Sequence, residues 1–211
     1  MNKYLGKIIA YILRRAVQLL TGSRSLWVGC RPRLKQRIYY ANHNSHIDFI
    51  LLWASLPKEI RRKTRPVAGG NYWHKNKIRR FIIQDVFNGI TIEHNKKNTD
   101  PLFHVYTALQ EGYSIIFFPE GTRNREQPEN LLPFKSGLFH LAKQHPNLEI
   151  IPVWIANLNR VMPKGTFIPL PILSTVIFGK ALEHTNYSTE KNQFLQYAQT
   201  ELNVLQEFEY Q

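Results

Sequence analysis

Six short segments have the length and composition of extended strands. Residues 38–41 read Ile-Tyr-Tyr-Ala, and residues 114–118 are almost wholly apolar, as expected of a parallel strand covered on both faces. The other segments are residues 65–68, 89–92, 149–155 and 174–178. These strands are sufficient for one sizeable sheet.

Helical patterns lie between the strands. We predict one helix from Ser45 to near Leu56, because Pro57 cannot continue it. Further helices are predicted over residues 75–87, 99–111, 133–144 and 188–208. Strands that alternate with helices predict an α/β fold, a single domain with a mixed or mostly parallel sheet flanked by helices. The pattern does not predict the order of the strands.

The first residues predict an amphipathic helix, because apolar positions recur at helical spacing among basic ones. The apolar positions are Leu5, Ile8, Ile9, Ile12, Ala16, Leu19 and Leu20, and the basic ones are Lys3, Lys7, Arg14 and Arg15. The basic pair interrupts the apolar run well short of the ~20 residues of a spanning helix. Two interpretations stay open: a helix in a bilayer interface, or one docked on the protein's own core. We assign residues 1–30 to this N-terminal membrane-associating region and residues 31–211 to the main domain.

The chain is strongly basic. Lysine and arginine number 28 against 15 acidic residues, a net charge of +13. This charge favours an anionic partner, such as nucleic acid, an anionic bilayer, a phosphorylated small molecule or an acidic carrier protein. No nucleic-acid-binding motif accompanies it, so we expect no nucleic-acid partner. Cys30 is the only cysteine, which excludes an intrachain disulfide.

A dense polar segment, from Asn42 to Asp48, lies where a predicted strand gives way to a helix. On one continuous helix, His43 and Asp48 would lie about 140° apart and would not meet. They can meet if His43 precedes the helix and Asp48 lies in its first turn, and the cap-forming residues Asn44 and Ser45 favour a start there. A histidine oriented by a carboxylate is suited to taking a proton from a hydroxyl. The alternative is a helix-capping aspartate beside an ordinary turn histidine.

A second polar segment, Phe118-Pro119-Glu120-Gly121-Thr122-Arg123, follows the apolar strand of residues 114–118. Ligand sites in α/β sheets collect at that end of the strands. Thr122 and backbone N–H groups there can donate hydrogen bonds, and Arg123 can hold a phosphate with two of them. The alternative is a plain surface turn with a weak ion pair between Glu120 and Arg123.

Together these segments resemble those of a known enzyme family. Asn42-His43-x4-Asp48 followed by the Phe-Pro-Glu-Gly-Thr-Arg segment is similar to the glycerolipid acyltransferases typified by 1-acyl-sn-glycerol-3-phosphate acyltransferase. Phe134-Lys135-Ser136-Gly137 and Ile151-Pro152-Val153 match later segments of that family, in the same order. The resemblance covers about residues 38–179. It implies a glycerol-3-phosphate acyltransferase-like fold, with residues 31–211 as the acyltransferase domain.

The resemblance also implies a reaction. An acyl group would pass from acyl-CoA or acyl-carrier protein, as co-substrate, to the hydroxyl of 1-acyl-glycerol-3-phosphate, giving phosphatidate. His43 would be the general base and Asp48 its orienting partner. Four consecutive residues would bind the acceptor's phosphate and glycerol, namely Glu120, Gly121, Thr122 and Arg123. No cofactor is implied, and His43-x-x-His46 lacks a metal-binding pattern, so we predict no metal site.

One segment departs from the family. The family has an arginine that helps to bind the acceptor phosphate at the position where this chain has His94. Histidine is shorter and only partly charged near neutral pH, although Lys96 could reach the same anion. We therefore expect an altered acceptor headgroup or weaker phosphate binding.

A basic surface is predicted over residues 58–80, where nine lysines and arginines accompany Tyr72 and Trp73. It could face anionic membrane lipids, receive an acidic acyl-carrier protein or the phosphates of coenzyme A, or simply be a solvated face. With the N-terminal helix, it predicts a peripheral or monotopic protein on the cytoplasmic face of a membrane.

Two alternative functions stay open. One is an acyltransferase of the same family that acts on another lysophospholipid or lipid hydroxyl. The other is a non-catalytic membrane lipid-binding protein that has the same fold. The intact pair of His43 and Asp48 argues against the second, because a binding protein has no need of a base and its orienting carboxylate.

Overall fold

The structure is a computed structural model that describes residues 3–22, 24–45, 47–93, 100–124, 130–156, 174–183 and 190–210. The strands are β1 (Arg24–Trp27), β2 (Arg37–Ala41), β3 (Thr64–Gly69), β4 (Ile90–Ile92), β5 (Ser114–Phe117), β6 (Glu149–Ile155) and β7 (Thr175–Phe178). The helices are α1 (Lys3–Thr21), α2 (Asp48–Ser55), α3 (Lys58–Arg62), α4 (Gly70–Trp73), α5 (Lys77–Phe81), α6 (Phe103–Gln110), α7 (Gly137–Gln144) and α8 (Lys191–Val204). A π-helical turn (Ile82–Val86) continues α5, and a 3-10 helix (Leu205–Tyr210) follows α8.

The described strands form one seven-stranded sheet in the order β1-β7-β6-β2-β5-β3-β4. Neighbouring strands are parallel except for β6 and β7, which are antiparallel. The predicted α/β fold with a mostly parallel, mixed sheet is therefore confirmed. Because β2, β3, β4 and β5 all run the same way, their carboxyl ends meet at one edge of the sheet.

Helices cover both faces of the sheet. Along β2, Ile38 and Tyr40 pack in the apolar cluster that contains α6, α7 and α8, whereas Tyr39 and Ala41 pack in the cluster that contains α2. All four side chains are fully buried. Burial on both faces explains why this strand reads as a continuous apolar run rather than an alternating one.

Several predicted helix boundaries differ from the structure. The helix predicted from Ser45 begins at Asp48. The helix predicted from residue 133 begins at Gly137, and the one predicted from residue 99 begins at Phe103 after a turn in which Asp100 Oδ1 accepts a hydrogen bond from the Leu102 N–H. The helix predicted over residues 75–87 is regular only to Phe81 and then widens into the π-helical turn. The predicted start of the last helix, residue 188, lies outside the described residues.

Strand β1 was not predicted. Its residues are polar or half-exposed because it lies at the edge of the sheet, where it pairs with β7 alone among the described strands. The strand falls within residues 1–30, which we had assigned to a separate N-terminal region. The sheet therefore continues across the predicted boundary at residue 30.

Helix α1 docks on the protein through one face. Ala10 is buried, and Ile9 and Leu13 are partly buried, against an aromatic cluster that includes Phe49 and Phe87. Gly6 lies against the π-helical turn so closely that a Cβ atom there would be 2.5 Å from the carbonyl oxygen of Asp85. The docked interpretation is thus correct for this face of the helix.

The opposite face of α1 is apolar and exposed. Leu5, Ile8, Tyr11 and Ile12 are between 45% and 56% exposed. No helix within the described ranges has an apolar stretch long enough to cross a bilayer.

We expect Gly6→Ala to lower the free energy of unfolding. Glycine within a helix ordinarily destabilises a protein by ~0.5–1 kcal/mol relative to alanine, so Gly6→Ala would be stabilising if nothing crowded the added methyl group. A lower free energy of unfolding would therefore report the close approach of α1 to Asp85. Chemical denaturation measures the change. Gly69→Ala is the control, because no heavy atom lies within 4 Å of the added Cβ. A rise in stability for both variants would contradict the docking of α1.

Candidate active site

A cavity of about 630 Å³ opens at the edge of the sheet where β2, β3, β4 and β5 end. This volume is within the usual range for small-molecule sites. The apolar residues of the wall include Phe49, Val67, Trp73, Ile92, Leu102 and Phe117. Its polar and cationic residues include His43, Thr122, Arg123, Lys135, Ser136 and His140. The cavity wall therefore combines apolar side chains with polar and cationic ones.

The predicted pair of His43 and Asp48 is formed. Nδ1 of His43 lies 2.7 Å from Oδ2 of Asp48. Asp48 is the first residue of α2 and His43 lies on the turn before it, as the spacing required. The same Oδ2 accepts hydrogen bonds from the backbone N–H groups of Asn44 and Ser45. Because Oδ2 acts as an acceptor, Nδ1 is the donor of this hydrogen bond, which assigns the acceptor role to Nε2 in the corresponding neutral tautomer.

The ring of His43 is also held from one side. It stacks on the ring of Phe118, with ring centroids 4.4 Å apart and an angle of 25° between the planes. Phe118 directly follows β5, and it lines the same cavity. The stacking and the hydrogen bond to Asp48 together fix both the position and the tilt of the imidazole.

Three further contacts hold the backbone at the end of β2. The side-chain amide of Asn42 accepts from the Ile155 N–H and donates to the Ile155 carbonyl, which ties β2 to β6. The Asn124 N–H donates to the His43 carbonyl at 2.7 Å. The His43 N–H donates to Oε1 of Glu120, also at 2.7 Å. The candidate base is thus fixed in its main chain as well as in its side chain.

Glu120 occupies a different place from the one expected. It is only 1% exposed and is not part of the cavity wall. Its second oxygen, Oε2, accepts from the Leu132 N–H, so both oxygens are used within the protein. Burial raises the pKa of the Glu120 carboxyl, and the hydrogen bonds from Leu132 and His43 act in the opposite direction. The Glu120 carboxylate is therefore placed to support the loop of His43, and it does not reach the cavity in which an acceptor would bind.

The next three residues of the segment do line the cavity, as expected. Gly121, Thr122 and Arg123 all line the cavity. Gly121 closes a turn in which its N–H donates to the Phe118 carbonyl, and Thr122 and Arg123 follow that turn. Gly121 has a φ of +66°, a left-handed conformation that favours glycine. The turn thereby directs Thr122 and Arg123 to the wall on which His43 lies.

Two predicted site residues, His94 and Lys96, lie outside the described residues. Several cavity residues were not predicted as site residues, among them Phe118, Lys135 and His140. Phe118 belongs to the Phe-Pro-Glu-Gly-Thr-Arg segment and Lys135 to the Phe-Lys-Ser-Gly segment, but no sequence pattern indicates that their side chains line the cavity. Within the described ranges, no three His, Cys, Asp or Glu side chains are grouped to hold a metal ion.

Comparisons with known proteins agree on one family. The family model described as Acyltransferase matches residues 30–156. The 1-acyl-sn-glycerol-3-phosphate acyltransferase of Limnanthes douglasii is 28% identical over 89% of this chain and 64% of its own length. The enzyme of that name from Saccharomyces cerevisiae is 32% identical over 63% of this chain and 43% of its own length. The chain thus spans less than two thirds of the length of these curated relatives.

A solved structure has the same fold. The crystal structure of the 1-acyl-sn-glycerophosphate acyltransferase from Thermotoga maritima superimposes with a TM-score of 0.73. The alignment covers 99% of this chain and 81% of the other, at 22% sequence identity. This likeness establishes the architecture.

We expect the ionisation of Glu120 to be visible at both of its hydrogen-bond donors. In a pH titration followed by NMR, the amide resonances of His43 and Leu132 should move together, with a midpoint above the ordinary value of 4.5, because burial disfavours the charged carboxyl. In Glu120→Gln this shared titration should vanish. Separate midpoints, or a midpoint at or below 4.5, would contradict a buried Glu120 carboxyl that accepts from both N–H groups.

Proposed function

Since the chain belongs to the acyltransferase family, we propose that it moves a fatty acyl group from a thioester donor to the hydroxyl of a lyso-glycerolipid. The acceptor is 1-acyl-glycerol-3-phosphate and the product is phosphatidate. The observation that carries this proposal is the 2.7 Å contact between His43 Nδ1 and Asp48 Oδ2 on the cavity wall. The names of the curated relatives support the choice of acceptor.

His43 acts as the general base. Its Nε2 takes the proton of the acceptor hydroxyl while the oxygen attacks the thioester carbonyl. The resulting C–O bond is retained, the C–S bond breaks, and the departing sulfur receives the proton from the imidazolium. Asp48 keeps Nδ1 protonated and stabilises the imidazolium charge.

The residues of the cavity wall suit both parts of the substrates. Its apolar residues, including Phe49, Trp73 and Ile92, accommodate fatty acyl groups, whose transfer from water is favourable by ~0.8 kcal/mol per buried CH₂. Thr122 and Arg123, which also line the cavity, receive the glycerol and the phosphate. Acyl-CoA and acyl-carrier protein both supply the thioester, so the reaction uses a co-substrate and no cofactor.

The partner surface is an anionic membrane, on which the protein lies peripherally, at the cytoplasmic face. The exposed apolar face of α1 would enter the interface, and the basic residues near α5 would contact lipid headgroups. Ile78 is 71% exposed among those basic residues. The guanidinium of Arg79 lies 4.2 Å from the ring centroid of Tyr72, and Tyr72 lines the cavity. The basic surface therefore reaches the cavity, where lipid substrates must enter.

We expect His43→Ala to lower kcat by ~10²–10⁴-fold, because the hydroxyl loses its base. Asp48→Asn should also lower kcat, since the ring is no longer held with its proton on Nδ1. The measurement is transfer of labelled acyl groups from acyl-CoA and from acyl-carrier protein to a panel of lyso-lipids with different headgroups.

The control is His104→Ala, because His104 is exposed and does not line the cavity. Full activity of His43→Ala would overturn the general-base role. If the wild type transfers nothing to any acceptor, lipid binding without catalysis becomes the better account. Preference for another headgroup would show a related acyltransferase with a different acceptor.

We expect Ile8→Ser combined with Ile12→Ser to weaken binding to vesicles that contain phosphatidylglycerol, as measured by co-sedimentation. Each isoleucine contributes up to ~1.5–3 kcal/mol when its side chain leaves water, and both are exposed on the free face of α1. Val204→Ser on α8 is a matched control, since Val204 is 45% exposed but is not on α1. Equal binding of both variants would show that α1 is not the membrane contact.

A further inference from the structure

Lys135 lies between the Glu-Gly-Thr-Arg turn and helix α7, on the cavity wall. Its backbone N–H donates to the Pro119 carbonyl at 2.8 Å, which joins this segment to the turn. Its side chain crosses Gly121: a Cβ atom at Gly121 would lie 2.8 Å from Lys135 Cδ and 2.9 Å from Nζ. The absence of a side chain at Gly121 therefore makes room for the ammonium group directly on the turn.

Among the described residues, no nearby acid neutralises the charge of Lys135. In the part of the chain that the structure describes, no carboxylate forms an ion pair with its Nζ, whereas Lys35 and Lys180 are paired with Glu149 and Glu183. The adjacent Glu120 uses both oxygens to accept backbone N–H groups. Asp100, the acid on the described cavity wall, accepts from the Leu102 N–H. A cation is thus left facing the cavity, where an anionic ligand would pair with it.

Lys135 is connected to the candidate base through a short series of contacts. The His43 ring stacks on Phe118, the Phe118 carbonyl accepts from the Gly121 N–H, and the Lys135 side chain lies on Gly121. In 1-acyl-glycerol-3-phosphate the reacting hydroxyl and the phosphate are on neighbouring glycerol carbons. A phosphate bound at Gly121 would therefore accompany a hydroxyl placed near the His43 ring.

The chemistry of a phosphate monoester favours two different cations. Arg123, on the same wall, can engage two oxygens of a phosphate through its planar guanidinium. A lysine adds a compact point charge that can reach a third oxygen, and charge-assisted hydrogen bonds of this kind are roughly twice as strong as neutral ones. Lys135 and Arg123 are the lysine and arginine that line the cavity among the described residues.

We propose that Lys135 binds the phosphate of the acceptor on the Gly121 turn, together with Arg123, and that it makes the enzyme selective for phosphate-bearing lyso-lipids. This inference rests on the proposed function, because it assigns a residue of the same cavity to a group of the proposed acceptor. It adds a specificity residue that lies outside the Glu-Gly-Thr-Arg segment.

The kinetic test compares two acceptors that differ only in the phosphate, 1-acyl-glycerol-3-phosphate and the monoacylglycerol with the same acyl chain. Lys135→Ala should raise KM for the first by about 10- to 100-fold, the usual effect of losing a hydrogen bond to a charged group. The kinetics with monoacylglycerol and the KM for the thioester donor should not change. Lys135→Arg should restore most of the loss, because it retains the charge.

Lys143→Ala is the matched control, since Lys143 belongs to α7 but does not line the cavity. It should leave the kinetics with both acceptors unchanged. An equal loss with both acceptors for Lys135→Ala would overturn the proposal, because it would indicate a structural role. A rise in KM for the donor alone would overturn it as well, because the phosphate recognised would then belong to the donor.

A second measurement does not depend on turnover. Glycerol 3-phosphate should protect Lys135 of the wild-type protein from an amine-acylating reagent, with modification of Lys143 as the internal reference and mass spectrometry as the readout. Glycerol alone should not protect. If no acceptor is acylated but protection is observed, the proposed function fails and the phosphate site stands. If acylation proceeds without protection of Lys135, the phosphate site fails and the function stands.

Discussion

One carboxylate oxygen determines where the candidate base stands. Oδ2 of Asp48 lies within hydrogen-bond distance of the His43 ring and of two successive backbone N–H groups. Oδ1, in contrast, is buried and has no hydrogen-bond partner among the described residues. Because three donors converge on one oxygen, the turn before α2 cannot change its conformation without breaking at least one of these contacts. The imidazole can therefore keep one orientation while substrates enter and leave.

A second buried carboxylate lies on the backbone side of the same histidine. Glu120 and Asp48 are each only 1% exposed, and burying a carboxylate is costly unless hydrogen bonds replace its hydration. Backbone N–H groups meet this requirement on both oxygens of Glu120, through His43 and Leu132, and on Oδ2 of Asp48, through Asn44 and Ser45. Main-chain donors persist through any substitution other than proline and are pre-oriented by the fold. Asp48 thus supports the ring of the histidine and Glu120 its backbone, and within the described residues neither acid forms an ion pair with a lysine or arginine.

The contact of His43 with Asp48 was predictable from the sequence and its contact with Glu120 was not, for a physical reason. His43 and Asp48 are five residues apart, so local helix geometry was enough to test whether they could meet. Glu120 contacts His43 across 77 residues, and no local pattern reveals which way such a side chain points. The mostly parallel sheet was predictable from buried apolar runs. Edge strand β1 was not, because a half-exposed strand such as Arg24–Trp27 lacks that signal.

The contacts that tie β2 to the rest of the site have a consequence for folding. The Asn42 amide bonds to Ile155, 113 residues away, and the Glu120 carboxylate bonds across 77 residues to the loop of His43. Contacts between such distant segments form late, because the long intervening chain must first be ordered. An intermediate that lacked β6 would leave the Asn42 amide without its partner, and one in which β5 had not paired with β2 would leave the His43 N–H without the Glu120 carboxylate. The surroundings of His43 should therefore be complete only when β5 and β6 have both paired with β2, so a partly folded chain lacks the contacts that orient this loop.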